Sequence, residues 1–167
     1  MKRICCHFCT FVLLLVLGAT SGCQHSKEPR LEPLVARFYL ETYPSEEGRT
    51  VVLPQSDVMV VVSPKPVVME FDVVDVAIAE VALGRCLLFK LTLAAGRDLY
   101  RLSGSSQGQR LVLALNDQAV GARKIDQPLD ETNLMIFLEM PDDALPDVVA
   151  RLKQTSAEVR RSLAKGR

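Results

Sequence analysis

The chain lacks the residues on which many active sites and structural cross-links depend. It has no tryptophan, and its two histidines, His7 and His25, lie close to the N-terminus. Of its five cysteines, only Cys86 lies beyond residue 25. From residue 26 onward, an intrachain disulfide and any nucleophilic mechanism that uses histidine are therefore excluded.

The composition also lacks an excess of either charge. The 167 residues include 20 Lys+Arg and 20 Asp+Glu, so no overall electrostatic field favours binding to nucleic acid. Hydrophobic residues make up 49% of the chain, which is enough for the core of one ordinary domain. We expect a folded domain without a cofactor and without a nucleic-acid partner.

The first 22 residues have the pattern of a secretory signal peptide. Two basic residues precede a short apolar run over 11–17, and small residues follow it up to Cys23. The run is shorter than the ~20 residues that span a bilayer. Thr20-Ser21-Gly22 before the cysteine resembles a bacterial lipobox, with Thr20 standing where leucine is usual. The resemblance implies cleavage after residue 22 and lipidation of Cys23 with acyl chains such as palmitate.

Lipid on Cys23 predicts a location in the bacterial cell envelope, anchored to a membrane and facing the periplasm. We expect the outer membrane rather than the inner one. Ordinary secretion with an unmodified Cys23 is the alternative. Cys5 and Cys6 are adjacent, without the two-to-four-residue spacing of zinc ligands, and the cysteines and histidine at 5–9 fall in the segment expected to be removed, so no metal site is predicted.

Composition and periodicity divide the rest of the chain. Residues 23–33 are polar and contain two prolines, which predicts the lipid anchor and a flexible tether. We expect the folded domain over residues 34–155. The end of a C-terminal helix, with a fraying tail, is expected over 156–167. Runs rich in β-branched residues or with alternating polarity predict eight strands, at 35–42, 50–53, 58–62, 73–83, 85–91, 110–115, 119–125 and 134–140.

Two helices complete the predicted elements. One begins after Thr92 as N-cap and continues through Ser103, and the other begins at Asp142 as N-cap and continues toward the C-terminus. Strands come first, and the two helices are separated by further strands. This order predicts an α+β fold, with a mostly antiparallel sheet and two helices packed on one face.

About 65 residues, 88–152, resemble the head of the first periplasmic domain of SecD, a subunit of the bacterial Sec translocase accessory complex. The similarity lies in 89–92 entering a helix, in a strand and turn over 108–117, in an outgoing strand over 118–125, and in 134–138 followed by the final helix. The resemblance implies the fold and an extracytoplasmic setting, and it suggests a role in protein export by analogy. SecD's membrane helices have no counterpart in this chain.

Few side chains offer chemistry in the predicted domain. Asp72, Asp75 and Glu80 are candidates for a cation or acid–base site, but a solvated strand face is the better interpretation, because they lack the spacing of a calcium loop. Cys86 stands in an apolar run and is expected to be a buried, unreactive thiol. The loop 104–108 lacks the lysine of a phosphate-binding loop. No catalytic, metal or cofactor-binding residue is predicted, and Cys23 is the single predicted site.

These observations predict a non-enzymatic, lipid-anchored periplasmic module. It would bind another envelope protein or an unfolded segment, because the open edges of valine-rich strands can accept a partner strand. The resemblance to SecD suggests that it is an accessory to envelope protein export. The alternative is a lipoprotein that binds a small-molecule solute in a cavity between the N-terminal strands and the SecD-like half. An enzyme is the third hypothesis.

Overall fold

A computed structural model of the chain describes residues 31–43 and 47–166. Every predicted strand and helix is present there, and the predicted α+β class is confirmed. No helix in these two ranges is long and apolar enough to cross a bilayer. In chain order the elements are β1 (Ala36–Leu40), β2 (Arg49–Val52), β3 (Met59–Val62), β4 (Val73–Val81), β5 (Gly84–Leu91), α1 (Leu93–Ser105), β6 (Arg110–Leu115), β7 (Gln118–Lys124), β8 (Asn133–Ile136) and α2 (Leu145–Lys165).

Hydrogen bonding divides the strands into three antiparallel groups, with orders β1-β6-β7, β4-β5-β8 and β2-β3. Turn residues explain two of the hairpins. Asn116 and Asp117, between β6 and β7, have φ angles of 46° and 66°, the left-handed conformation that a two-residue hairpin turn requires. Gly84, the first residue of β5 directly after the β4–β5 turn, has a φ of 120°, which residues with a Cβ atom rarely adopt.

One hydrophobic core is shared by the two three-stranded sheets and both helices. Phe38 of β1 and Phe89 of β5 meet edge to face in this core, with their ring centroids 5.0 Å apart. Helix α2 contributes Leu145, Val148 and Leu152 to this core. The helices thus share one side of the β4-β5-β8 sheet, in agreement with the predicted packing.

A second, smaller cluster lies on the other face of β6. There Val60 and Val62 of β3 pack with Tyr39 and Val112. The β2-β3 ribbon therefore covers the side of the β1-β6-β7 sheet that faces away from the helices. This double coverage explains why β6 is apolar at nearly every position, since both of its faces are buried.

The two predicted helix caps have different outcomes. The Thr92 hydroxyl accepts a hydrogen bond from the Ala95 N–H at 3.3 Å, so the predicted cap of α1 is confirmed. The prediction of Asp142 as the cap of α2 is wrong, because residues 142–144 form a short 3₁₀ turn and α2 begins at Leu145. Pro146 falls in the first turn of α2, where its missing N–H costs no intrahelical hydrogen bond.

The last strand is shorter than the predicted range 134–140. Strand β8 ends at Ile136, and the chain then leaves β5 and runs against β7. The Glu139 N–H donates to the Val120 carbonyl at 2.7 Å. Gly121 permits this approach, because a Cβ atom there would overlap the carbonyl of Phe137. The segment 137–139 therefore links the two three-stranded sheets.

Candidate functional site

The candidate site lies on the outer face of the β4-β5-β8 sheet, opposite the core. The register pairs Cys86 with Ala79 of β4. It also pairs Leu88 with Met135 of β8, and paired residues in an antiparallel sheet point to the same face. The intervening residues point into the core. The outer face is therefore apolar as well, although the helices cover only the inner one.

A groove of about 610 Å³ lies along this face. Its walls are the tip of the β4–β5 hairpin (81–83), the end of β7 with the following loop (122–129), and residues 135–137. Large apolar side chains are exposed here: Leu83 is 86% exposed, Met135 42% and Phe137 40%. Clustered exposed apolar side chains of this size are typical of a surface that contacts another molecule.

The backbone of β8 opens toward this groove. The Leu91 N–H donates to the Thr132 carbonyl, which makes 91 and 132 a hydrogen-bonded pair of the antiparallel ladder. Hydrogen-bonded and non-hydrogen-bonded pairs alternate along such a ladder. The backbone N–H and C=O groups of Leu134 and Ile136 therefore point toward β5, whereas those of Met135 point away from it. The Met135 carbonyl accepts a hydrogen bond from Arg123 Nη1 at 3.0 Å, in agreement with this alternation.

The backbone of β7 opens toward the groove from the other side. The Ile125 N–H donates to the Gln109 carbonyl and its carbonyl accepts from the Gly108 N–H, so 125 faces β6. Alternation then directs the backbone groups of Ala122 and Lys124 away from β6. The Glu139–Val120 hydrogen bond joins β7 to the segment that follows β8, whereas the Met135 carbonyl of β8 accepts from the side chain of Arg123.

The charges around the groove are few and lie on one side. Arg123 and Lys124 belong to β7, and Lys124 Nζ lies 3.8 Å from Asp126 Oδ1. Arg123 has no carboxylate partner within the described ranges. The groove lining therefore carries a small excess of positive charge beside its apolar surface.

Cys86 forms part of the groove lining but offers no reactive thiol. The residue is 1% exposed, which confirms its predicted burial. Burial raises the pKa of the Cys86 thiol, so the group is protonated at neutral pH and is a poor nucleophile. Cys86 therefore acts here as a small apolar residue.

The three acidic residues considered from the sequence do not come together. Asp72 Oδ2 accepts from the Met69 N–H at 3.0 Å, and burial raises the pKa of Asp72. Asp75 Oδ1 lies 3.2 Å from Lys153 Nζ. Glu80 lies near the far end of β4, opposite Arg85. No group of three His, Cys, Asp or Glu side chains suited to a metal ion occurs among the described residues.

Two other predicted features are the lipidation site and a cavity for a solute. Cys23, the predicted lipidation site, lies outside the described residues. A smaller polar pocket of about 330 Å³ lies between 41–43, after β1, and the loop 107–109. This pocket lies between residues that follow β1 and a loop inside the range 88–152. The apolar groove, in contrast, was not predicted, because it depends on the relative placement of β4, β7 and β8.

The fold is similar to that of SecDF. One similar structure is SecDF in a super-membrane-facing form, with a TM-score of 0.54 and 16% identity over 71% of this chain and 18% of that chain. Another is a structure of SecDF, a membrane component that enhances protein export, with a TM-score of 0.56 and 14% identity over 73% of this chain and 63% of that one. No family model and no curated protein sequence matches the chain.

These identities establish similarity of fold, and they confirm the predicted resemblance to the SecD periplasmic region. The similarity is longer than the predicted range 88–152. Coverage of 71% of 167 residues is about 119 residues, so it must also include residues that precede Leu88. The chain spans less than two thirds of the length of either SecDF chain.

Proposed function

We propose that this protein is a non-enzymatic, lipid-anchored module that faces the periplasm and binds a segment of another protein, as an accessory to envelope protein export. The observation that carries the proposal is the apolar groove on a SecDF-like fold. SecDF itself is described as a membrane component that enhances protein export. A groove with exposed apolar walls suits the binding of an incompletely folded polypeptide.

The lining of the groove supports binding more than catalysis. Its ionisable side chains are Arg123, Lys124, Asp126 and the buried thiol of Cys86. Lys124 and Asp126 pair with each other, so neither is positioned as a general acid or base toward the groove. Apolar contact with a ligand is the interaction that this lining can provide most extensively.

The N-terminal end of the described domain lies against α2. In the described chain, the Leu34 N–H donates to Thr155 Oγ1 of α2 at 3.0 Å. Leu34, near the N-terminal end of the described residues, therefore lies against α2, which packs on the inner face of the β4-β5-β8 sheet. The groove lies on the outer face of that sheet. We place the lipid of Cys23 in the outer membrane, with the domain in the periplasm.

Binding of a permanently unfolded, carboxymethylated polypeptide to the full chain in detergent tests the protein-binding function. Leu83→Asp and Phe137→Asp should each weaken binding by about tenfold, since hot-spot substitutions commonly cost more than 1 kcal/mol. Leu163→Asp is the matched control. Leu163 is 53% exposed on α2, near Arg160, which bonds to Val74 at the end of β4 remote from the groove. Absence of binding by the unsubstituted chain would contradict the proposal.

A second candidate function is the binding of a small-molecule solute. The pocket beside 41–43 and 107–109 favours it, because this pocket lies between the chain that follows β1 and a loop of the SecD-like range. Its volume of about 330 Å³ is at the lower end of the range for ligand sites. Native mass spectrometry of the purified chain tests this function. A retained small molecule that is lost in Gln109→Ala would support it, and a chain of unmodified mass would count against it.

A further inference from the structure

One backbone position of β8 is available for pairing with another strand. At the N-terminal end of β8, the Asn133 N–H donates to Asp130 Oδ1 at 2.8 Å. Beyond the C-terminal end, the Glu139 N–H is bonded to Val120. Between them, Met135 directs its N–H and C=O into the groove, where Arg123 contacts the carbonyl from a flexible side chain. The open part of the edge is therefore short and centred on Met135.

We propose that a polypeptide segment binds in the groove as a short added strand, which pairs with β8 at Met135. Arg123 covers this open strand edge until the segment binds. The inference rests on the proposed function, and it specifies how the segment is bound. In the free protein, the Arg123 guanidinium covers the Met135 carbonyl and protects an edge that would otherwise pair indiscriminately. A bound segment replaces the guanidinium with its own backbone N–H.

The side chains of the groove specify which segment fits. Met135 and Phe137 are two residues apart and both line the groove, which matches an extended segment with apolar residues at alternate positions. The displaced Arg123 needs a new partner, and the lining offers only Asp126, which already pairs with Lys124. A carboxylate on the segment satisfies Arg123. The expected ligand is therefore an extended segment with alternating apolar residues and an acidic residue beside them.

Backbone methylation of short synthetic peptides of this pattern is the direct test, measured by fluorescence anisotropy with the full chain in detergent. A methyl group on the β8-facing amide nitrogen that lies opposite Met135 should weaken binding by about tenfold or more, because this amide donates to the Met135 carbonyl. Methylation of the intervening amides should change the affinity by no more than about twofold. Equal loss on methylation of either kind of amide would overturn strand addition while leaving the proposed function intact.

Failure of every peptide to bind would instead contradict the proposed function.

Two neighbouring substitutions test whether Arg123 covers the open edge and then pairs with the bound segment. In Lys124→Ala, replacing the acidic residue of the peptide by its amide should still weaken binding, whereas in Arg123→Ala this replacement should have no effect. The same response in both variants would overturn the role of Arg123.

Hydrogen exchange gives a second readout that does not depend on substitutions. The Met135 amide should exchange rapidly in the free chain and more slowly with the peptide bound, because only then does it donate to a carbonyl. A free chain that is dimeric, with the Met135 amide already protected, would overturn the proposal in favour of pairing between two copies.

Discussion

Gly96 and Gly104 lie in the same helix, α1, but in contrasting surroundings. A Cβ atom on Gly96 would overlap the carbonyl of Glu131, whereas a Cβ atom on Gly104 would meet nothing within 4 Å. We predict that Gly96→Ala destabilises the fold by about 1–3 kcal/mol, the usual cost of overpacking. Gly104→Ala should stabilise it by about 0.5–1 kcal/mol, since alanine favours helix.

Urea unfolding of the two variants measures both changes, and each variant is the control for the other. Similar effects of the two substitutions would show that the 130–132 segment does not press against α1 at Gly96. Such a result would contradict the close packing of this segment on the helix.

Glu70 contributes stability that depends on pH. Arg37 Nε lies 3.0 Å from Glu70 Oε2, in a pair whose side chains are 32% and 17% exposed. The hydrogen bond from Arg37 lowers the pKa of Glu70 below its ordinary value of 4.5. The stabilisation is therefore present above pH 4.5 and is lost as the pH falls through the lower pKa of the folded state.

We predict that Glu70→Gln lowers the free energy of unfolding by about 1 kcal/mol at pH 7, and that this difference shrinks as the pH falls below 4.5. Chemical unfolding over a pH series measures it. A double-mutant cycle with Arg37→Met is the control, because the coupling between the two residues should disappear over the same pH range. A difference that does not vary with pH would contradict the ion pair as the cause.

At the scale of elements, the β2-β3 ribbon depends on one carboxylate from elsewhere in the chain. Glu139 accepts hydrogen bonds from the N–H groups of Gln55 and Ser56, each at 2.9 Å, and from the Ser56 hydroxyl at 2.6 Å. Desolvation raises the pKa of Glu139, but these hydrogen bonds outweigh it and the pKa lies below its usual value. Glu139 thereby fixes the ribbon's turn beside the groove wall.

We predict that Glu139→Ala makes the amides of β2 and β3 exchange about 5–30 times faster, as expected for a local loss of 1–2 kcal/mol. Amide exchange followed by NMR measures this directly. The amides of β4 and β5 should be unaffected, and Ser56→Ala should produce a smaller effect on the ribbon. Uniform acceleration over the whole domain would show that Glu139 supports the global fold rather than the ribbon alone.

The elements that the sequence predicts well are those determined by neighbouring residues. The Thr92 cap, the Asn116-Asp117 turn and the apolar run of β6 each follow from a few adjacent side chains, and the structure contains all three. The end of β8, in contrast, is determined by a residue far away in the sequence. Phe137 and Leu138 continue the apolar pattern, but the hydrogen bond of Glu139 to Val120 redirects the chain.

The groove could not be predicted for the same reason. Its parts, near Val81, Arg123 and Met135, are separated along the chain and meet only through the strand order and register. The sequence does indicate an open strand edge as a binding element, but it does not identify which edge. Division of the strands among three sheets likewise depends on long-range pairing that local patterns leave undetermined.

At the scale of the whole molecule, the proposed anchor makes a direct prediction. Cells given a palmitate analogue should label the chain, and Cys23→Ala should lose the label, because the proposed acyl chains are attached to that cysteine. Cys86→Ala should keep it, since Cys86 is buried in the folded domain. Equal labelling of the unsubstituted chain and Cys23→Ala would contradict the anchor.

We propose that the groove on the β4-β5-β8 sheet contacts polypeptides during export. Photo-crosslinking in living cells tests it most directly, with a photoreactive residue at Leu83, 86% exposed in the groove wall, and at Leu163 on α2 as control. We predict adducts with exported polypeptides from position 83 that disappear when export is blocked, and none from position 163. No adduct at position 83, or the same adducts at both positions, would contradict the claim.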